Sequence, residues 1–231
     1  MDVIFEDNHV IVVVKPQNIP TQLDESNDLD MLTMVKNYIK EKYDKPGNVY
    51  LGLVHRLDRP TGGLMVFAKT GKAASRLSEQ LASGEMTKKY LAVVNGVVSK
   101  NSEKLVNYLK KNAKTNMVAV VPELTTGAKR AELEYEVLER REKVSLVSLN
   151  LFTGRSHQIR VQMKHIGHPV YGDVRYGGDI LAKGHNLALW AYELSFNHPI
   201  TKQKMTFKCV PPDIVPWTNF DVKRLTKMNT L

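Results

Sequence analysis

Arg56 and Asp58 stand two residues apart in the run Leu53-Val54-His55-Arg56-Leu57-Asp58-Arg59-Pro60-Thr61-Gly62-Gly63-Leu64. In an extended chain both project to one side, with His55 and Leu57 on the other. A cation and a carboxylate then leave one strand end together, just before a turn favoured by Pro60 and the two glycines. A carboxylate so placed can act as a nucleophile or assist proton transfer. The same residues also fit a surface ion pair beside a loop, which would carry little energetic weight. Spacing alone leaves both readings open.

Other chemistries fit the residues less well. His165, His168 and Asp173 suggest a metal site, yet their spacing is no recognised zinc pattern, and Gly167-His168-Pro169 reads better as a helix stop; no metal is expected. Ser156 and His157 with Asp58 suggest a hydrolase triad. Neighbouring residues on a helix point about 100° apart, however, which keeps that Ser and His from pairing as nucleophile and base. Thr61-Gly62-Gly63 and Thr70-Gly71-Lys72 have neither P-loop nor dinucleotide-binding spacing. The basic runs Leu109-Lys110-Lys111-Asn112-Ala113-Lys114 and Lys223-Arg224 through Lys227 suit phosphate or plain solvation equally. Met31, Met34, Met86 and Met163 read as gap-filling core residues.

The elements that must position these groups follow from periodicity and punctuation. Val3 to Phe5 and Val10 to Val14 read as strands, the second ended by Lys15-Pro16. Leu32, Val35 and Ile39 recur at helical spacing between Asp30 and Tyr43, with Asp28 or Asp30 as the N-cap. Tyr50 to Arg56 and Leu64 to Lys69 read as strands around the turn. Ala73, Leu77 and Leu81 stripe a helix that Gly84 closes. Strands are expected over Lys89 to Val94 and, as an antiparallel pair about a Glu139-Arg140-Arg141-Glu142 turn, over Ala131 to Leu138 and Val144 to Phe152. From Arg155 to Ile166 the residues Ile159, Met163 and Ile166 share one helix face, and His157, Arg160 and Lys164 form a basic edge. Strands over Leu187 to Phe196 and Lys204 to Cys209 precede a closing helix over Trp217 to Lys227. Helices and strands without a βαβ rhythm predict an α+β fold: a mixed, mainly antiparallel sheet flanked by helices.

A chain of 231 residues with 42% hydrophobic content can bury one sizeable core, and no repeat, low-complexity tract or linker divides it, so residues 1–231 are read as a single domain. The net charge of +9 makes a polyanionic partner plausible without proving one. Cys209 is the one cysteine, which excludes an intrachain disulfide and a cysteine-based zinc site and suits a reducing cytoplasm. The opening MDVIFEDNHVIVVVKP is too acidic for a secretory leader and its apolar run too short for a bilayer, so no membrane association is expected.

His55-Arg56-Leu57-Asp58 followed by Thr61, Gly63 and the apolar run to Ala68-Lys69 resembles the signature of RluA-type RNA pseudouridine synthases, with Gly62 where the family usually has Ser. Further segments match in order. They are Lys89-Tyr90-Leu91-Ala92-Val93-Val94-Asn95-Gly96, Thr153-Gly154-Arg155-Ser156-His157-Gln158-Ile159-Arg160-Val161, Gly167 to Asp173 with Tyr176-Gly177, His198-Pro199 and Met205-Thr206-Phe207.

The resemblance implies a pseudouridine synthase fold with a central RNA-binding and active-site cleft. It implies conversion of a specific uridine in ribosomal or transfer RNA to pseudouridine, without a cofactor because the isomerisation needs neither redox change nor group donor. Asp58 would be the catalytic carboxylate, paired with Arg160, and Tyr90 would stack on the detached uracil. Arg56 would contact RNA around the flipped nucleotide. Arg155, His157 and His55 complete the expected substrate-binding set, with His55 also helping to build the turn. The resemblance begins near residue 3, so no separate N-terminal RNA-binding domain is expected, and a monomer is. The alternative is a non-catalytic RNA-binding or chaperone module on the same fold, against which the retention of Asp58, Tyr90 and Arg160 argues.

Overall fold

The computed structural model describes residues 1–177 and 184–224. In chain order the elements are β1 (Asp2–Glu6), β2 (Val10–Lys15), α1 (Met31–Lys42), β3 (Gly52–Leu53), β4 (Gly62–Ala68), α2 (Gly71–Ser83), β5 (Thr87–Asn95), β6 (Ser102–Lys111), β7 (Val118–Val121), β8 (Lys129–Arg140), β9 (Val144–Leu151), α3 (Gln158–His165), β10 (Leu189–Asn197) and β11 (Lys204–Lys208), followed by a 3-10 turn at Trp217–Asn219. The fold is α+β, and every strand pairing whose register is given below is antiparallel. The chain gathers into two compact units, one of Met1–Lys88 with Ala191–Cys209, the other of Lys89–Trp190 with Val210–Leu231.

In the first unit the strand order is β1-β2-β4-β10, with β3 also on β4 and β11 on β10. β2 and β4 are buried along their whole lengths, as expected of near-continuous apolar runs covered on both faces. Their register sets Val12 opposite Val66 and Lys15 opposite Gly63. α1 begins where the Asp30 carboxylate accepts from Thr33 N at 3.1 Å, and it buries Met31, Val35 and Ile39. α2 is capped by Thr70, which accepts from Ala73 N, and ends at left-handed Gly84. On its inner face Gln80, rather than the expected Leu81, is buried beside Ala73 and Leu77. The Gln80 side chain donates to Asn197 O (2.8 Å) and accepts from Asn197 N (2.7 Å), so a polar group is buried with both its amide atoms satisfied.

The expected strand from Tyr50 to Arg56 is paired only at Gly52–Leu53. Beyond it, side chains replace a neighbouring strand: Thr21 Oγ1 donates to Leu57 O (2.8 Å) and accepts from Leu57 N (3.3 Å), while Val66 N donates to the His55 ring (3.2 Å).

In the second unit the order is β5-β9-β8-β6-β7. Leu109, Val118 and Ala131 of this sheet form a core with Val161 of α3 and Tyr176. β6 and β7 are strands that periodicity did not reveal, because the exposed Lys110-Lys111 end of β6 reads as a solvated basic run. β8 continues through Arg140 across a bulge at Val137/Glu139, which moves the turn to Arg141–Lys143.

The basic-edge expectation for α3 needs correction. The helix starts at Gln158, so His157 precedes it, and Arg160 is buried. Of the expected closing helix over Trp217 to Lys227, the described residues hold a 3-10 turn at Trp217–Asn219 and a helical residue at Arg224, with residues 225–227 outside the described ones. Trp217, Phe220 and Val222 are buried at a spacing that does not continue a helix, and Phe220 is already extended. No described helix is long and apolar enough to cross a membrane.

Candidate active site

Asp58 is partly exposed at the end of the segment Val54–Asp58, in which burial still alternates without strand pairing: His55 and Leu57 are buried and Arg56 is exposed. Thr61 N donates to Asp58 O at 2.9 Å and closes the turn. Gly63, at φ 117°, is required by a close approach, since a Cβ there would lie 2.3 Å from Ala191 O.

The turn is braced from two directions. His55 is 7% exposed, and burial, aided by the positive charge of Lys88, pulls its ring down to a pKa of about 3. The ring is therefore neutral near pH 7. Because Nε2 accepts from Val66 N, the proton is assigned to Nδ1, an atom without a hydrogen-bond partner among the described residues. The expected substrate contact at His55 is thus a buried support.

Lys15 braces the other side. It is fully buried, and its ammonium donates to Pro16 O (2.9 Å) and Arg59 O (3.0 Å). Burial lowers its pKa to about 7, the Asp58 charge opposes the shift, and the Arg59 charge adds to it. Sequence reasoning treated Lys15 only as the end of a strand. The available signal was a lysine closing an otherwise apolar, buried run. Arg59, next to Asp58, donates to Ser26 Oγ (2.9 Å), Asp24 Oδ2 (3.4 Å) and Asp28 Oδ2.

The remaining expected site residues lie in the second unit. Tyr90 sits on β5 opposite Leu149 and is 6% exposed. Arg160 forms a two-pronged ion pair in which Nε and Nη2 each donate to Asp173 at 2.7 Å, both side chains being buried. The guanidinium also lies 5.0 Å from the Tyr176 ring centroid. The other bonds of Asp173 are local: Oδ1 accepts from Arg175 N and Tyr176 N, both at 3.0 Å, so the partner of Arg160 is itself fixed by a turn.

His157 has φ 52° and its Nδ1 is 2.7 Å from Tyr176 Oη. Tyr176 also accepts from Val118 N at 3.0 Å, and burial raises the pKa of its hydroxyl. The hydroxyl thus stays protonated and can donate to the His157 ring. Arg155 is exposed, with Nε donating to Arg130 O (2.9 Å) and its backbone N donating to Gln158 Oε1 (3.0 Å).

The structure therefore gathers His55, Arg56 and Asp58 with Lys15 and Arg59 in the first unit. In the second it gathers Arg155, His157 and Arg160 with Asp173 and Tyr176. In sequence Asp173 stood out only as a rejected metal ligand and, with Tyr176, as part of a matching segment, without a role beside Arg160. Neither local periodicity nor spacing links them to Arg160.

A family model described as RNA pseudouridylate synthase matches residues 9–165, a span that holds Asp58, Tyr90 and Arg160. The chain is 35% identical over 234 residues to the ribosomal large subunit pseudouridine synthase D of Yersinia pestis, covering 95% of this chain and 70% of that protein. It is 34% identical over 216 residues to an uncharacterized RNA pseudouridine synthase of Bacillus subtilis, covering 92% and 70% respectively. The solved structure of human RNA pseudouridylate synthase domain containing 4 shares the fold, with a TM-score of 0.77 at 22% identity over 91% of this chain and 88% of that one.

The mostly antiparallel α+β fold is thus the one seen in pseudouridylate synthases. The chain belongs to the RNA pseudouridine synthase family, of the RluA type, and its reaction is the isomerisation of uridine to pseudouridine in RNA.

Proposed function

We propose that the chain acts on ribosomal RNA of the large subunit as an intramolecular transferase, with Asp58 as the catalytic carboxylate. The bond from C1′ to N1 breaks, the uracil turns, and C1′ joins C5. The proton lost from C5 is balanced by one gained at N1, so the reaction consumes no reductant, oxidant or group donor. An anionic oxygen suits this chemistry because it can attack an electron-poor carbon or take a sugar proton while the base is detached.

The observation that carries the reading is the turn at Asp58, held by the Lys15 ammonium, the Thr21 hydroxyl and the His55 ring. Such bracing supports a catalytic group because reaction rate depends on fixed placement. Tyr90 is assigned to stack on the detached base and Arg160 to balance the aspartate charge. Arg56, Arg155 and His157 are assigned to the RNA. Large-subunit RNA is favoured over transfer RNA by the names of relatives from Yersinia pestis, Vibrio parahaemolyticus and Haemophilus influenzae, each a ribosomal large subunit pseudouridine synthase D.

Tritium release from RNA labelled at uridine C5 tests the chemistry. Asp58→Asn is expected to slow release by about a thousandfold or more. Release at the wild-type rate would remove Asp58 from the mechanism. Mapping pseudouridines in cells with and without the gene tests the substrate; a loss confined to transfer RNA would overturn the ribosomal assignment.

A further inference from the structure

Residues 22–29 form a loop whose ends are fixed and whose middle is open. Thr21 is buried and tied both ways to Leu57, and Asp30 is buried as the cap of α1. Every residue between them is exposed. The loop carries Asp24, Glu25 and Asp28, and two of these carboxylates close on one guanidinium. Arg59 Nη1 donates to Ser26 Oγ and to Asp24, and Nη2 donates to Asp28. Within the loop, Asp24 also accepts from Ser26 N (3.0 Å) and Ser26 Oγ (2.6 Å), which holds the three acceptors together. The hydrogen bond to Arg59 lowers the Asp28 pKa, and that to Asp28 raises the pKa of Arg59.

Arg59 directly follows Asp58, and the substrate is a polyanion. A guanidinium beside the reacting nucleotide is the group a phosphate would seek, yet here carboxylates occupy it. Those ion pairs are exposed, with side-chain exposures of 40% for Arg59, 42% for Asp24 and 54% for Asp28. Such pairs are weak, because water screens them and ordering two long side chains costs entropy. A guanidinium on a phosphate makes two parallel charge-assisted bonds and releases counterions from the RNA.

We propose that the loop 22–29 is an exchangeable acidic cap on Arg59. A phosphate next to the target uridine replaces Asp24 and Asp28 on the guanidinium. RNA that brings no phosphate to that point meets the carboxylates and is repelled. The cap thus turns a generic basic contact into one that rewards a correctly seated backbone. This rests on the reading of Asp58 as the centre of an RNA-modifying site.

The test is a cycle of four full-length proteins: wild type, Asp24→Asn/Asp28→Asn, Arg59→Gln, and the triple variant. Binding is measured with transcribed large-subunit ribosomal RNA and with an unrelated RNA, and kcat and KM by tritium release. The double variant is expected to bind unrelated RNA about threefold to tenfold more tightly at low salt, with kcat within about twofold of wild type. Arg59→Gln weakens substrate binding, and the triple variant loses the gain.

A double variant that binds no more tightly overturns the cap. A gain that persists fully in the triple variant also overturns it, because bulk charge rather than Arg59 would then be responsible. Absence of tritium release from wild type would refute the activity, while the binding cycle would still report on the cap.

Discussion

Lys15 shows how one side chain can brace a turn and also set its field. The unfolded chain holds the lysine proton up to about pH 10.5, the folded one only to about pH 7. Between these values the unfolded state binds more protons, so the contribution of this group to stability rises with pH, by at most about 1.4 kcal/mol per unit. Below pH 7 both states are protonated and the full burial penalty stands. Urea midpoints between pH 7 and 10 are expected to rise less steeply in Lys15→Met than in wild type; equal slopes would show that Lys15 is not the titrating buried charge. Asp173 poses the complementary case of a buried pair. Asp173→Asn takes the bidentate carboxylate away from the buried Arg160 guanidinium and is expected to destabilise the fold, by up to about 3–5 kcal/mol in chemical denaturation. Asp173→Leu/Arg160→Met removes both charges and should recover most of that stability without recovering tritium release. Recovery of both would make the pair purely structural.

At the scale of elements, the segment Val54–Asp58 is held by side chains on other elements instead of a strand ladder. Thr21→Val deletes both hydrogen bonds to Leu57 at nearly constant volume and is expected to cost about 1–3 kcal/mol. It should also lower kcat more than KM, because Asp58 is displaced while the RNA-contacting surface is kept; unchanged kcat would show that Thr21 does not position the turn. The same segment marks the limit of what was legible in sequence. The buried runs of β2 and β4, the α1 cap among the two candidates Asp28 and Asp30, and the stop at Gly84 were readable because each rests on local patterning or local hydrogen bonds. The unpaired stretch after β3, the burial of Arg160, and the roles of Lys15 and Asp173 were not readable. Each depends on a partner distant in sequence: Thr21 for Leu57, Asp173 for Arg160, and Arg59 O for Lys15. β6 was hidden for a further reason, because its buried Leu105 and Leu109 are diluted by exposed lysines.

At the scale of the molecule, the resemblance carried by short motifs reached the family before any three-dimensional contact was known, since Asp58, Tyr90 and Arg160 recur in order with their neighbours. The structure adds that the first unit is discontinuous in sequence. Its final strands come from Ala191–Cys209, after the whole run from Lys89 to Trp190 has intervened. Gly63 lies against the Ala191 backbone, Gln80 bonds to Asn197, and Asp7 accepts from or pairs with the His198 ring at 2.8 Å. During synthesis the residues around Asp58 leave the ribosome before the strand that packs on Gly63, which follows more than a hundred residues later. At roughly 5–20 residues per second, the aspartate turn waits roughly 6–26 seconds before that strand is made. A nascent chain still short of Ala191 therefore lacks the backbone against which the Gly63 turn packs, and the residues around Asp58 remain without that support until it emerges.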